Sequence, residues 1–143
     1  NKTSKTHRDG MDMALCAFSK TANKVQFAGA NRMLVKISDQ TITEYKPNKY
    51  SIGGAIDNIK KDFNNTEIDF KRGDIFYMFS DGYVDQFGGP KGKKFKYKQL
   101  QGLLLSIHQK PMEEQKAILQ DSLRNWQGDL EQVDDVLVVG IRV

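Results

Sequence analysis

Cysteine is nearly absent from this chain: Cys16 is the single one, so no internal disulfide can form. That usage favours a reducing compartment, and the reading places the chain in the cytoplasm. Histidine is also scarce. His7 and His108 are too few for a zinc ligand set or for a histidine-based triad with further ligands, and each reads as a solvated residue. Long apolar runs are missing too. The longest, residues 136–141 interrupted by Gly140, falls far below the roughly 20 residues that a spanning helix needs. The opening residues 1–8 carry no apolar core of a secretory signal and no initiator Met, and they read as a cut within a longer protein.

What is present describes one domain of ordinary globular composition. A chain of 143 residues can bury a single core, and 38% hydrophobic with 28% charged residues excludes a disordered or membrane-spanning chain. The net charge of +4 is too small to select a polyanionic partner. Much of the excess is local: Lys91, Lys93, Lys94, Lys96 and Lys98 crowd around Phe95 and Tyr97. This segment reads as a solvated lysine-rich loop leading into a helix, and nucleic-acid binding is the least favoured function.

Short apolar or alternating runs bounded by turn residues predict strands over residues 11–19, 24–30, 33–37, 41–45, 66–70, 74–79 and 133–143. The short connections between the early runs predict antiparallel pairing. Leu100, Leu103, Leu104 and Ile107 predict a helix over residues 98–108, weakened at Gly102 by about 1 kcal/mol relative to alanine. Pro111 and Gly128 bracket a second helix over residues 112–126. The expected architecture is α/β, an α+β layering with a mainly antiparallel sheet covered by helices. Phe76, Met78, Leu104, Leu119, Leu123, Trp126, Val136 and Val138 are expected in its interior.

Two acidic groups stand at the ends of apolar runs. Asp81 follows the run 75–79 and precedes Gly82, while Asp134 and Asp135 enter the last run. A carboxylate at a strand end reaches solvent or a cation without interrupting the sheet. Oxygen ligands there suit magnesium or manganese. Taken alone, such aspartates are common turn residues.

The words around these acids resemble a known family. Gly73-Asp74-Ile-Phe-Tyr-Met-Phe-Ser80-Asp81-Gly82-Tyr83-Val84-Asp85 is similar to the segment in which SpoIIE-like phosphatases, a bacterial branch of the type 2C or PPM phosphatases, carry a metal-binding Asp-Gly after a buried strand. Asp134-Asp135-Val136 resembles their last motif, whose first Asp is a metal ligand. Phe27-Ala28-Gly29-Ala30-Asn31-Arg32 and Ile52-Gly53-Gly54 resemble two upstream words of the family, and residues 9–12 resemble a subgroup joined to large sensor proteins. Leu137 stands where Thr is frequent in the wider family.

The resemblance implies a partial PPM-type sandwich, residues 1–143 being the carboxyl-terminal portion of one catalytic domain. The family's earlier acidic strand and its Asp-Gly-His-Gly-like word are not in this sequence. The parent enzyme is then expected to hydrolyse phosphoserine or phosphothreonine in a regulatory phosphoprotein, with two Mg2+ or Mn2+ ions and no covalent phosphoenzyme. An anti-sigma-factor antagonist is the kind of substrate implied, in signal transduction downstream of a sensor domain. Asp81 and Asp134 carry over as metal ligands and catalytic residues. Gly82 is expected to leave room for metal and substrate, and Asp135 to orient water or ligand. Asp9 and Asp12 are remoter candidates. The portion alone is expected to be inactive. The alternative is a non-catalytic interaction module whose 91–98 loop contacts an acidic partner.

Overall fold

The computed structural model describes residues 9–54 and 62–143. Its strands are β1 (Gly10–Met11), β2 (Met13–Ser19), β3 (Lys24–Ala30), β4 (Leu34–Ser38), β5 (Thr41–Tyr45), β6 (Ile52–Gly53), β7 (Thr66–Asp69), β8 (Ile75–Phe79), β9 (Phe87–Gly88), β10 (Lys93–Lys94) and β11 (Val138–Arg142). Its helices are α1 (Gly82–Asp85), α2 (Tyr97–Ile107) and α3 (Met112–Gln127).

The chain divides into two compact units. One takes residues up to Leu34 with Glu44–Lys71, and the other takes Val35–Thr43 with Arg72–Val143. In the first, β2, β3 and β7 form a three-stranded antiparallel sheet in that order. Val25, Phe27 and Ile68 form its buried side, the period-2 outcome of alternation along each strand. β1 pairs with β6, setting Gly10 opposite Gly53.

The second unit carries the four-stranded sheet β11-β8-β4-β5. Its β8 pairs antiparallel with β4 on one side and with β11 on the other. Ile75, Phe76 and Tyr77 are therefore buried, as a central strand requires. Asp74, at the strand's entrance, is also buried and forms an ion pair with Lys36 at 3.0 Å.

The helices cover this sheet through an apolar stripe and two tyrosines. Leu100, Leu104 and Ile107 bury the inner face of α2. Tyr77 donates its hydroxyl to Gln115 Oε1 at 2.6 Å, and Tyr83 donates to the Leu119 carbonyl at 2.8 Å. Gln115 in turn donates Nε2 to the carbonyls of His108 and Lys110. Burial pushes both tyrosine hydroxyls up to about 12, so they stay protonated donors at neutral pH.

Both long helices stand within a residue of their predicted bounds, with Pro111 just before α3 and Gly128 closing it at a φ of 56°. The interior is smaller than expected. Phe76, Leu104 and Leu119 are buried, but Met78, Leu123, Trp126, Val136 and Val138 are only half-buried. The reason is geometric for several of them. Leu123, Val136 and Val138 line an open groove of about 480 Å³ between α3 and β11, floored by Tyr77 and Tyr83. The last strand is shorter than its apolar pattern: it starts at Val138, because residues 134–137 are held by a loop instead of by the ladder.

Candidate active site

Where β8 ends, one hydroxyl joins it to the start of β11. The ladder closes with Val138 opposite Phe79, and the Ser80 N–H then donates to the Leu137 carbonyl at 3.0 Å. Ser80 Oγ donates to the Asp135 carbonyl at 2.7 Å and accepts from the Leu137 N–H at 3.0 Å. A small hydroxyl residue directly after a buried strand thus replaces ladder bonds that the departing chain cannot make. Asp81 comes next, half-buried, in the N-cap position of α1. Its carbonyl accepts from the Asp85 N–H at 2.9 Å, while its carboxylate makes no capping bond to the helix.

Gly82 is buried directly beneath the facing loop. A Cβ on it would stand 3.1 Å from the Asp134 carbonyl oxygen and would overlap the carbonyl of Asp135. The requirement for glycine is therefore backbone packing between the 81–82 turn and the 134–135 loop. Across the contact, Asp134 and Asp135 are exposed. Asp134 Oδ1 accepts from the Asp135 N–H at 2.7 Å, and the Asp134 carbonyl accepts from Gln132 Nε2 at 2.8 Å. The first bond holds one carboxylate oxygen of Asp134 against the loop backbone, and the second holds its main-chain carbonyl.

The structure thus brings the Asp81 turn and the Asp134–Asp135 loop together, backbone against backbone. Ser80 holds that junction and Gln132 braces the loop side of it, and neither was singled out from the sequence. Ser80 was legible in principle as a polar residue at the exit of the apolar run.

The other candidates have local duties. Asp12, in the first unit, accepts from Asn31 Nδ2 at 2.9 Å and from Ser51 Oγ at 2.5 Å, and forms an ion pair with Arg32 at 3.3 Å. The Ser51 and Asn31 bonds, assisted by the Arg32 charge, hold its carboxyl below the usual carboxylate range. Asp9 is exposed in the same unit. The Phe27 to Arg32 word forms a tight corner: Asn48 donates to the Gly29 carbonyl and accepts from the Asn31 N–H, each at 2.9 Å. His108 Nδ1 lies 2.6 Å from the Leu105 carbonyl, a structural contact within its own helix end. His7 lies outside the described residues.

The donor chemistry fits a hard divalent cation, because Asp81 and Asp134 offer carboxylate oxygens at adjoining backbone turns. Among the described residues no group of three or more His, Cys, Asp or Glu is placed to hold a metal ion.

Comparison with known proteins identifies the fold. The chain has a TM-score of 0.84 and 28% identity to the SiaA-PP2C domain of Pseudomonas aeruginosa, covering 92% of this chain and 51% of that one. The phosphatase domain of the cell fate determinant SpoIIE from Bacillus subtilis gives 0.68 and 14%, with 92% and 57% covered. The RsbU and RsbW domains of a Mycobacterium tuberculosis protein give 0.71 and 17%, with 92% and 36% covered. The fold is accordingly that of PP2C-type phosphatases, and the chain spans about half the length of the first of these structures. No curated protein sequence matches it. The family model described as Stage II sporulation protein E (SpoIIE) matches residues 2–143, and the chain belongs to that family.

Proposed function

We propose that this chain supplies the Asp81 and Asp134 portion of a metal-dependent site that hydrolyses phosphoserine or phosphothreonine in a regulatory phosphoprotein. The observation that carries the reading is the junction of the 81–82 turn with the 134–135 loop, where Ser80 and Gly82 hold two acidic turns side by side. The chain spans about half the length of the first solved relatives, and in this reading residues 1–143 are the carboxyl-terminal portion of the catalytic domain. The remaining ligands would then come from the rest of that domain.

Asp81 and Asp134 would hold Mg2+ or Mn2+, and a Mn-presoaked crystal form exists for the Bacillus subtilis SpoIIE phosphatase domain. When bound, such ions neutralise charge on phosphoryl oxygens and make water a better nucleophile near neutral pH. The chain's own residues supply positioning. Ser80 fixes the spacing of the two turns, Gly82 permits their contact, and the Asp135 N–H together with Gln132 orients Asp134. Covalent catalysis has no candidate in Cys16, whose thiol is pushed up to about 11 by burial and is therefore protonated at neutral pH.

A further solved structure of the same fold is titled a serine/threonine phosphatase, which favours a phosphoprotein over a metabolite as substrate. The direct test is release of phosphate from a phosphoserine peptide by the full-length protein with Mn2+, with EDTA, and with this portion alone. Turnover by the full-length protein that EDTA abolishes, and that the portion alone lacks, is the expected result. EDTA-resistant turnover, or none by the full-length protein, contradicts the proposal.

A further inference from the structure

The lysine-rich segment has a fixed structure that its composition did not reveal. β9 and β10 form a hairpin in which Lys93 stands opposite Gly88 and Lys94 opposite Phe87. Phe95 is buried between Tyr83 and Trp126, with ring centroids at 5.1 and 5.4 Å. The backbone after it is bonded onto the chain that leaves the candidate site: Phe95 N–H donates to the Gln86 carbonyl at 2.9 Å and Lys96 N–H to the Val84 carbonyl at 2.8 Å. Lys94 reaches back to Asp85 at 2.9 Å, and Asp85 is one helical turn beyond Asp81.

Anchored in this way, the cations point outward. Lys91, Lys93, Lys96 and Lys98 are exposed and, among the described residues, make no ion pair. The first turn of α2, which Lys96 precedes, holds no acidic residue to balance them. Lys96 also has a φ of 71° and a ψ of 149°, a backbone region that only glycine enters without strain. An ordinary solvated loop would relax by placing glycine there. A lysine held in that conformation, with its N–H on the Val84 carbonyl, has a fixed point at which its side chain leaves the backbone beside α1.

We infer that this hairpin is the docking surface for acidic residues flanking the phosphorylated residue of a protein substrate. The inference rests on the phosphatase reading for its substrate, and it adds the substrate's sequence class. α1 is about 6 Å long, at 1.5 Å per residue, and Lys94 and Lys96 are bonded to Asp85 and Val84 of that helix, so the lysine segment starts about one helical turn from Asp81. An extended peptide advances about 3.3 Å per residue. Glutamates or aspartates on the order of two to five positions from the phosphoresidue are therefore the ones that the lysines meet.

The test uses the full-length protein and two phosphoserine peptides, one flanked by four glutamates and one by four glutamines. The hairpin variant combines Lys91→Gln, Lys93→Gln, Lys96→Gln and Lys98→Gln. A control of equal charge change combines Lys20→Gln, Lys46→Gln, Lys49→Gln and Lys116→Gln. The glutamate peptide is expected to show a KM lower by about tenfold, the sum of several weak exposed pairs, with kcat within about twofold. The hairpin variant should abolish that preference and the control should keep it. Equal KM values for both peptides, or equal loss in both variants, overturn the inference while leaving the phosphatase reading intact. If neither peptide is hydrolysed, fluorescence anisotropy of the same peptides decides. A preference for glutamate that only the hairpin variant loses supports the docking surface, and equal binding overturns it. Tighter binding of a single-stranded DNA oligonucleotide of matched charge also overturns it.

Discussion

The backbone of Gly82 lies so close to the carbonyl of Asp135 that no side chain fits between them. Two segments far apart in sequence are thereby held at one distance, and each carries an acid next to the contact. Alanine at this position must push the 134–135 loop outward or distort the turn. Gly82→Ala is expected to cost about 1–3 kcal/mol, the range for inserting atoms into a packed region. Chemical denaturation measures it. A cost below about 0.5 kcal/mol would mean that the loop yields freely and that the junction is not rigid.

Ser80 gives a complementary test from hydrogen bonding. Its hydroxyl serves the Asp135 carbonyl and the Leu137 N–H, so Ser80→Ala leaves both groups without that partner. A loss of about 0.5–1.5 kcal/mol is expected for bonds at a solvent-facing site, and Ser80→Thr, which keeps the hydroxyl, should recover much of it. Equal losses in the two variants would show that volume matters there, not the bonds.

The sign of one pH effect follows from Asp12. Its folded-state carboxyl is lowered, chiefly by Ser51 and Asn31, so folding favours the charged form. That contribution is fully present above the ordinary carboxylate value of 3.8 and is lost as pH falls through the lowered folded value. Asp12→Asn should therefore be less stable than the parent at pH 7, with the gap closing in acid. A gap that widens on acidification would reverse the assignment.

Much of the fold was legible because period and punctuation agreed. The apolar spacing of Leu100, Leu104 and Ile107 and the Pro111 to Gly128 bracket placed both long helices. The run 75–79 placed the central strand at its observed bounds. Asp81 was legible as the acid that follows the central strand, but Asp134 stands in a loop four residues before β11, and the packing of Gly82 was hidden because a glycine's partner lies far away in sequence. The division of residues 133–143 into loop and strand was also hidden. Their apolar character is continuous, and Ser80, just past the end of β8, bonds to residues 135 and 137 where pairing stops. The β9–β10 hairpin escaped notice because lysine favours no strand, and its register is set by the burial of Phe95.

Trp126 reports on that hairpin. Its indole Nε1 donates to the Gln86 carbonyl at 3.1 Å, its ring meets Phe95, and its carbonyl accepts from the Gly89 N–H at 2.7 Å. It is half-buried, so acrylamide quenching between that of a free indole and that of a shielded one is expected. Gly88→Ala, whose Cβ would overlap the Trp126 carbonyl, should raise the quenching toward the free value. Unchanged quenching in that variant would contradict the packing.

The central claim is that Asp81 and Asp134 together hold the cation on which phosphate release depends. Hydrolysis of a phosphoserine peptide by the full-length protein at fixed Mn2+ tests it most directly, with Asp81→Asn and Asp134→Asn measured beside the parent. Each substitution keeps the shape and removes the charge. The account predicts that each lowers kcat/KM by at least about a hundredfold, the upper end of what losing even an outer-shell partner costs, and that the double variant is little worse than either single one, as members of one ligand set behave. Turnover undiminished in either single variant, at matched folded fraction, contradicts the account.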